Sequence, residues 1–235
     1  MKGKKKQGDN ASNGPIPMPD PAHKLHAKTV SLKTGGSMFI ISAPSGAGKT
    51  TLCRTIIASA GGIEQSVSFT SRAPRKGESN DVDYTFIDET EFRKMIDRGD
   101  FVEWAVVHGN LYGTSRRRLE EIMEEGHDVM LDIDTQGARQ IRQSYPGGVF
   151  IFILPPSMKV LRERLESRKT NTPEDIENRL RRAMEEIRDY TMYDYVIVND
   201  VLEESIRKLE AIITSERLRC GKIAPAWIEE KILQL

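Results

Sequence analysis

Read from its first residue, the chain shows no sustained apolar pattern until Met38, where Met38, Phe39, Ile40 and Ile41 follow in succession and give way to Ser42 and Ala43. Consecutive apolar positions leave no polar face, so this segment predicts a strand buried on both sides, as in a parallel sheet. Runs of the same kind recur at Val129 to Ile133, Val149 to Leu154 and Tyr195 to Val198, separated by loops and stretches of helical periodicity. Strands alternating with helices predict an α/β core whose parallel sheet is covered by helices on both faces. Beyond Val201, the spacing of Ile206, Leu209 and Ile213 predicts a helix packed on that core. Trp227 lies further on and fits either a core position or an oligomer contact.

Two regions break the alternation. Between Val67 and Leu119 short β-branched and aromatic segments, around Tyr84 to Ile87 and Phe101 to Val107, are interrupted by Arg-Gly-Asp and Gly-Asn turns. They predict a small strand-rich insertion over 68–119. Between Pro155 and Tyr190 the chain is highly charged yet periodic. Thr172-Pro173-Glu174-Asp175 reads there as a helix start, with a capping hydroxyl, a proline at the first helical position and acids in the first turn. The region 156–190 therefore predicts two helices joined by a polar hairpin. Residues 1–37, with Lys2, Lys4, Lys5 and Lys6 and a Gly, Pro, Asn and Ser-rich stretch, read as a disordered tail or, less simply, a basic arm. The domain is then 38–235, its core comprising 38–67, 120–155 and 191–235.

Composition narrows the function classes. Lys and Arg number 35 and Asp and Glu number 35 over 235 residues, so no net field favours nucleic acid or an anionic membrane; any anion site must be local. Cys53 and Cys220 form neither a disulfide framework nor a zinc-type pair. No apolar run approaches the roughly 18 residues that would span a bilayer. A cytoplasmic protein without nucleic-acid or membrane partners is expected.

The strongest local signal is Ser42-Ala43-Pro44-Ser45-Gly46-Ala47-Gly48-Lys49-Thr50-Thr51, set between a predicted strand and the helical pattern Leu52, Ile56, Ile57. Gly46 and Gly48 let successive amides turn inward, and the following helix offers its positive end to phosphate oxygens. Lys49 is placed to reach the β and γ phosphates, and the Thr50 hydroxyl to ligand Mg²⁺. Ser45, Ala47 and Thr51 complete the expected ATP cradle. Ala43 stands where the usual pattern has its first glycine.

The insertion carries Ser68-x-x-x-Arg72-x-x-Arg75-x-Gly77-Glu78, then Asp83-Tyr84, Glu103-Trp104 and Tyr112-Gly113-Thr114; Leu131-Asp132-Ile133-Asp134 and Val198-Asn199-Asp200 follow. In that order, together with the phosphate loop, these motifs resemble guanylate kinases from Met38 to about Arg219. The resemblance implies a P-loop NTPase core with a GMP-binding insertion and a helical lid, transferring the terminal phosphoryl group of ATP to GMP. It implies that Arg72, Arg75, Tyr84 and Tyr112 hold the GMP phosphate and that Ser68, Glu103, Thr114 and Asp132 surround the guanine. Charge-assisted forks from arginine suit a phosphate dianion. One carboxylate can accept the ring N–H and amino group that guanine presents side by side, while hydroxyls donate to its exocyclic oxygen.

Thr114 also reads as a cap for the next helix. Asp134 is expected either at the substrate or Mg²⁺-bound water, or as the cap of the helix beginning near Thr135. The resemblance assigns Arg164, Arg168 and Arg179 to a lid closing over ATP and places Asn199 near the adenine. Arg181, Arg182 and Glu186 read as a solvated face. The alternative function is a catalytically silent protein-binding module; intact Gly46, Gly48, Lys49, Thr50, Arg164 and Arg168 weigh against it. The oligomeric state is left open.

Overall fold

The structure, a computed structural model, describes residues 34–107, 109–167 and 172–234. Along the chain, β1 (Met38–Ser42), α1 (Lys49–Ser59) and β2 (Ile63–Gln65) come first. Then follow β3 (Phe69–Thr70), β4 (Thr85–Phe86), α2 (Glu89–Arg98), β5 (Phe101–Val107) and β6 (Asn110–Ser115). The remainder comprises α3 (Arg116–Glu124), β7 (Asp128–Asp132), α4 (Thr135–Ser144), β8 (Val149–Leu154), α5 (Met158–Ser167), α6 (Pro173–Arg188), β9 (Tyr195–Val198) and α7 (Leu202–Arg217).

The core sheet runs β2-β7-β1-β8-β9, and every neighbouring pair is parallel. Alternating side chains divide it into two apolar layers. Phe39, Ile41, Met130, Ile151 and Ile153 pack with Leu52 and Ile56 of α1 and with Leu209 and Ile213 of α7. On the opposite face Met38, Ile40, Val129, Leu131, Phe150 and Phe152 meet Leu119 of α3 and Ala138 and Ile141 of α4. Each such fully buried large side chain contributes about 1.5–3 kcal/mol relative to exposure, and the apolar runs of β1, β7 and β8 are buried on both faces, whereas β9, at the sheet edge, buries Ile197 and leaves Val196 and Val198 exposed. β8 and β9 match the expected runs, whereas β7 begins and ends one residue before the expected Val129–Ile133 segment. β2 has too few residues for a readable period; its pairing with β7 defines it.

The insertion holds a second sheet, ordered β4-β3-β6-β5, with β3 and β4 parallel and the other pairs antiparallel. It is not made of strands alone. Asp88 caps α2 by accepting from the Glu91 N–H, Gly99 ends it in the left-handed region at φ +73°, and Phe92 stacks on Phe101 at 4.5 Å. Short aromatic segments obscured this helix, although its cap and C-terminal glycine follow ordinary rules.

The helical pair begins as expected at Thr172: its hydroxyl accepts from the Asp175 N–H, and Asp175 returns the bond to the Thr172 backbone. α5 and α6 pack through Leu161, Leu165, Ile176, Leu180 and Ala183. Residues 34–37, assigned from sequence to the tail, are tied into the fold. The Gly36 N–H donates to Met123 O, and Ser37 N–H donates at 2.7 Å to buried Asp128, which also accepts from Arg217 at 2.6 Å. The expected tail over 1–33 lies outside the described residues.

Candidate active site

Parallel strands that end together present their following loops along one edge, and here β1, β7 and β9 deliver the phosphate loop, Asp132 and Asn199 to that edge. The loop needs glycine at two positions. Gly46 and Gly48 have φ of +98° and +96°; a Cβ on Gly48 would stand 2.4 Å from Asn199 Nδ2, and one on Gly46 would press on Leu161 and Leu165 at 3.0 Å. Ala43 is buried in the core, and its φ is not positive, so the first position of the pattern needs no glycine here.

Lys49 opens α1, and its ammonium donates to the Asp132 carboxylate and, at 2.8 Å, to the Ile133 carbonyl. Thr50 Oγ1 donates to the other Asp132 oxygen at 2.9 Å. The structure thus places Asp132 against the phosphate loop; it also lines the cavity described below. A hydroxyl and a carboxylate converging at a phosphate loop suit Mg²⁺, a hard cation that usually completes its shell with water and substrate phosphate.

Asn199 is buried, and its amide donates to the Ala47 carbonyl at 2.7 Å. Arg164 donates to the same carbonyl at 3.3 Å and to Asn199 O at 2.9 Å. Both therefore brace the loop, beside a cleft of about 320 Å³ that also includes Gly46, Gly48 and Thr51. From α6, Arg179 reaches the Ser45 hydroxyl at 3.3 Å. Arg168 lies outside the described residues. Glu186 stands two turns beyond Arg179 on the same helix, half-buried rather than on the solvated face expected of it. Burial, then the charge of Asp134, raise its carboxyl above the usual range, opposed by Arg182 and Lys49. Its partial burial depends on how α6 docks, which the local sequence pattern does not state.

The insertion forms the other wall. A register shift between Phe101 and Glu103 brings Glu103 opposite Thr114, whose hydroxyl donates to its carboxylate at 2.5 Å. Both are buried. Burial raises the Glu103 carboxyl above its ordinary range, against the Thr114 hydrogen bond, and the Asp134 charge raises it further. The N-terminal turn of α4 comes close enough that a Cβ on Gly137 would lie 3.2 Å from Glu103 Oε2. Asp134 caps that helix, accepting from the Gly137 N–H at 2.8 Å. Thr114 does not cap α3: the Ser115 hydroxyl accepts from the Arg118 N–H at 3.4 Å, because Thr114 points into the sheet toward Glu103.

Arg72, Tyr84 and Tyr112 converge. Arg72 donates to the Tyr112 hydroxyl at 3.1 Å, lies 5.5 Å from the Tyr84 ring centroid, and grips Glu78 bidentately at 2.8 and 3.0 Å. Glu78 also accepts from the Arg75 N–H at 2.7 Å, while the Arg75 side chain is exposed. Glu78 stood in the sequence motif without a role; its grip on Arg72, six residues away, appears only once the turn folds back. Between the two sheets lies a cavity of about 400 Å³ whose walls include Ser68, Tyr84, Glu78 and Asp132.

A phosphate-loop core facing an inserted sheet, with a helical pair beside the loop, defines a P-loop phosphotransferase fold. The family model for guanylate kinase matches residues 36–216. Guanylate kinases of Geobacter metallireducens and Geobacter sulfurreducens are 50% and 49% identical over 192 and 198 residues, covering 82% and 84% of this chain and 95% and 98% of theirs. The crystal structure of guanylate kinase from Anaplasma phagocytophilum superposes with a TM-score of 0.67 at 34% identity, covering 87% of this chain and 99% of that one. The chain belongs to the guanylate kinase family.

Proposed function

We propose that the protein moves the terminal phosphoryl group of ATP reversibly onto a phosphate oxygen of GMP, giving ADP and GDP, as a cytoplasmic Mg²⁺-dependent enzyme. The observation that carries this reading is the buried Glu103–Thr114 pair, met by the first turn of α4 at Gly137, in a chain whose phosphate loop is intact. A carboxylate held in low dielectric beside a hydroxyl matches the donor pair and exocyclic oxygen of guanine. Adenine turns a ring acceptor toward the carboxylate and leaves buried groups unpaired. Arg72, Arg75, Tyr84 and Tyr112 take the acceptor phosphate, with Arg72 exchanging Glu78 for it. Ser68 joins the base contacts.

Phosphoryl transfer through a loose transition state needs alignment and charge neutralisation more than covalent chemistry from the protein. Lys49, Arg164, Arg168 and Arg179 supply positive charge around the transferring group, and no protein base is required. Thr50 and Asp132 would hold Mg²⁺, which would supply screening of phosphate charge. Asp134 acts through its cap on α4, ordering the turn against Glu103. Within the described residues no helix is long and apolar enough to cross a membrane.

The test is ADP formation from ATP and Mg²⁺ with GMP, AMP, UMP or TMP supplied singly. Turnover with GMP alone is expected. Folded protein that binds GMP yet turns over no acceptor would replace the enzyme with a binding module.

A further inference from the structure

Helix α3 packs on the core sheet through Leu119 and Met123, and its Arg118 reaches from there into the insertion. The guanidinium lies 4.6 Å from the Phe69 ring centroid and donates to three oxygens: the Val67 carbonyl at 3.3 Å, the Thr85 hydroxyl at 2.5 Å and the Asp81 carboxylate at 2.9 Å. A half-exposed ion pair alone stabilises little, but a planar fork shared among three segments fixes their relative placement. Those segments bracket Tyr84. The Asp81 N–H donates to Tyr84 O at 2.9 Å, the Thr85 hydroxyl donates to the Asp81 carboxylate at 2.6 Å, and the Thr85 N–H donates to Ser68 O at 2.9 Å. Asp81 has φ +59° and is one of two non-glycine residues with positive φ among the described residues, a conformation that persists where the surroundings hold it. Val67, Val82, Asp83 and Tyr84 line the cavity between the two sheets.

We propose that Arg118 is a positioning residue of the acceptor site, clamping the turn 79–83 against the Val67–Ser68 connection so that Tyr84 is held toward the nucleotide phosphate. This rests on the guanylate kinase reading, in which Tyr84 takes the GMP phosphate, and it concerns a residue that none of the matched motifs contains. Arg118 is engaged by the protein and acts through the backbone on either side of Tyr84. Without the clamp the Asp81 turn relaxes, and the phenol hydroxyl loses the fixed approach that a phosphate contact needs.

The experiment measures kcat, KM for GMP, KM for ATP and the unliganded melting midpoint for wild type and variants. Wild-type turnover comes first; none with GMP would remove the functional reading and this proposal with it. Given turnover, Arg118→Ala should raise KM for GMP about fivefold and leave KM for ATP unchanged. Asp81→Ala, on the exposed turn, should show the same defect and carries the test if Arg118→Ala does not fold. Asp81→Asn, which keeps an acceptor oxygen and tolerates positive φ, should stay near wild type. In a Tyr84→Phe background Arg118→Ala should add no further rise in KM for GMP, because both changes remove one contact. A full additional rise in that background would show that Arg118 acts elsewhere, and a lowered midpoint with unchanged KM for GMP, or unchanged values throughout, would leave it a structural role or none; either result overturns the proposal.

Discussion

Glu103 is under two opposed demands. Recognition of guanine asks it to be ionised, whereas burial favours the neutral acid and has moved its carboxyl upward. A carboxyl raised on folding favours the folded state below its unfolded value, and that contribution is lost as pH rises through the folded value. The Glu103 contribution to stability should therefore decline from about pH 4.5 upward. Glu103→Gln keeps an acceptor for Thr114 and removes the ionisation. Unliganded Glu103→Gln should melt higher than wild type at neutral pH and show a flatter midpoint-against-pH curve above the acid range. Turnover with GMP should fall by roughly a hundredfold or more. A midpoint depressed equally at every pH would show that packing, not charge, governs the position. Arg72 repeats the lesson: it meets Glu78, Tyr112 and the Tyr84 ring at once, so a charge that sequence assigns to phosphate is already held in orientation by an internal carboxylate.

At the scale of the element, the helical pair is set apart from the two core layers by its own small apolar cluster. Its order depends heavily on local devices such as the reciprocal cap at Thr172 and Asp175. Removing a cap hydroxyl costs about 1 kcal/mol. Thr172→Ala should then speed hydrogen exchange of the first-turn amides of α6 about fivefold while leaving amides of β8 unchanged, as expected for local opening. Equal acceleration in β8 would mean that the cap supports the whole fold. The loop brace is the complementary case: Arg164 of α5 and Asn199 beyond β9 converge on one carbonyl, that of Ala47, so helical pair, loop and last strand share a hydrogen-bonded joint.

For the whole molecule, the decisive arrangement is the core sheet and the inserted sheet with a cavity between them. Thr50 and Asp132 offer oxygens at the expected metal position, and no cluster of three or more His, Cys, Asp or Glu that could hold a metal occurs among the described residues. Folding should not depend on the ion. Adding EDTA should abolish phosphoryl transfer yet leave the melting midpoint of the nucleotide-free protein unchanged, in contrast to a structural metal domain. A midpoint that drops with chelator would show the metal to be part of the fold.

The amino-acid sequence by itself determined what short-range chemistry encodes. Uninterrupted apolar runs specified β1, β8 and the edge strand β9, the Gly46 and Gly48 spacing specified the phosphate loop, and Thr172-Pro173 specified the start of α6. Each depends on residues within a turn or two of one another. Tertiary structure alone decided that Asp132 meets Lys49 and Thr50, that Asp134 and Ser115 rather than Thr114 act as caps, and that Glu186 turns inward. It also decided the edge strand β2 and the two-residue strands β3 and β4, too short to carry a period of their own. A side chain's partner across 50 or 80 residues is fixed by strand order and register, which no local pattern states.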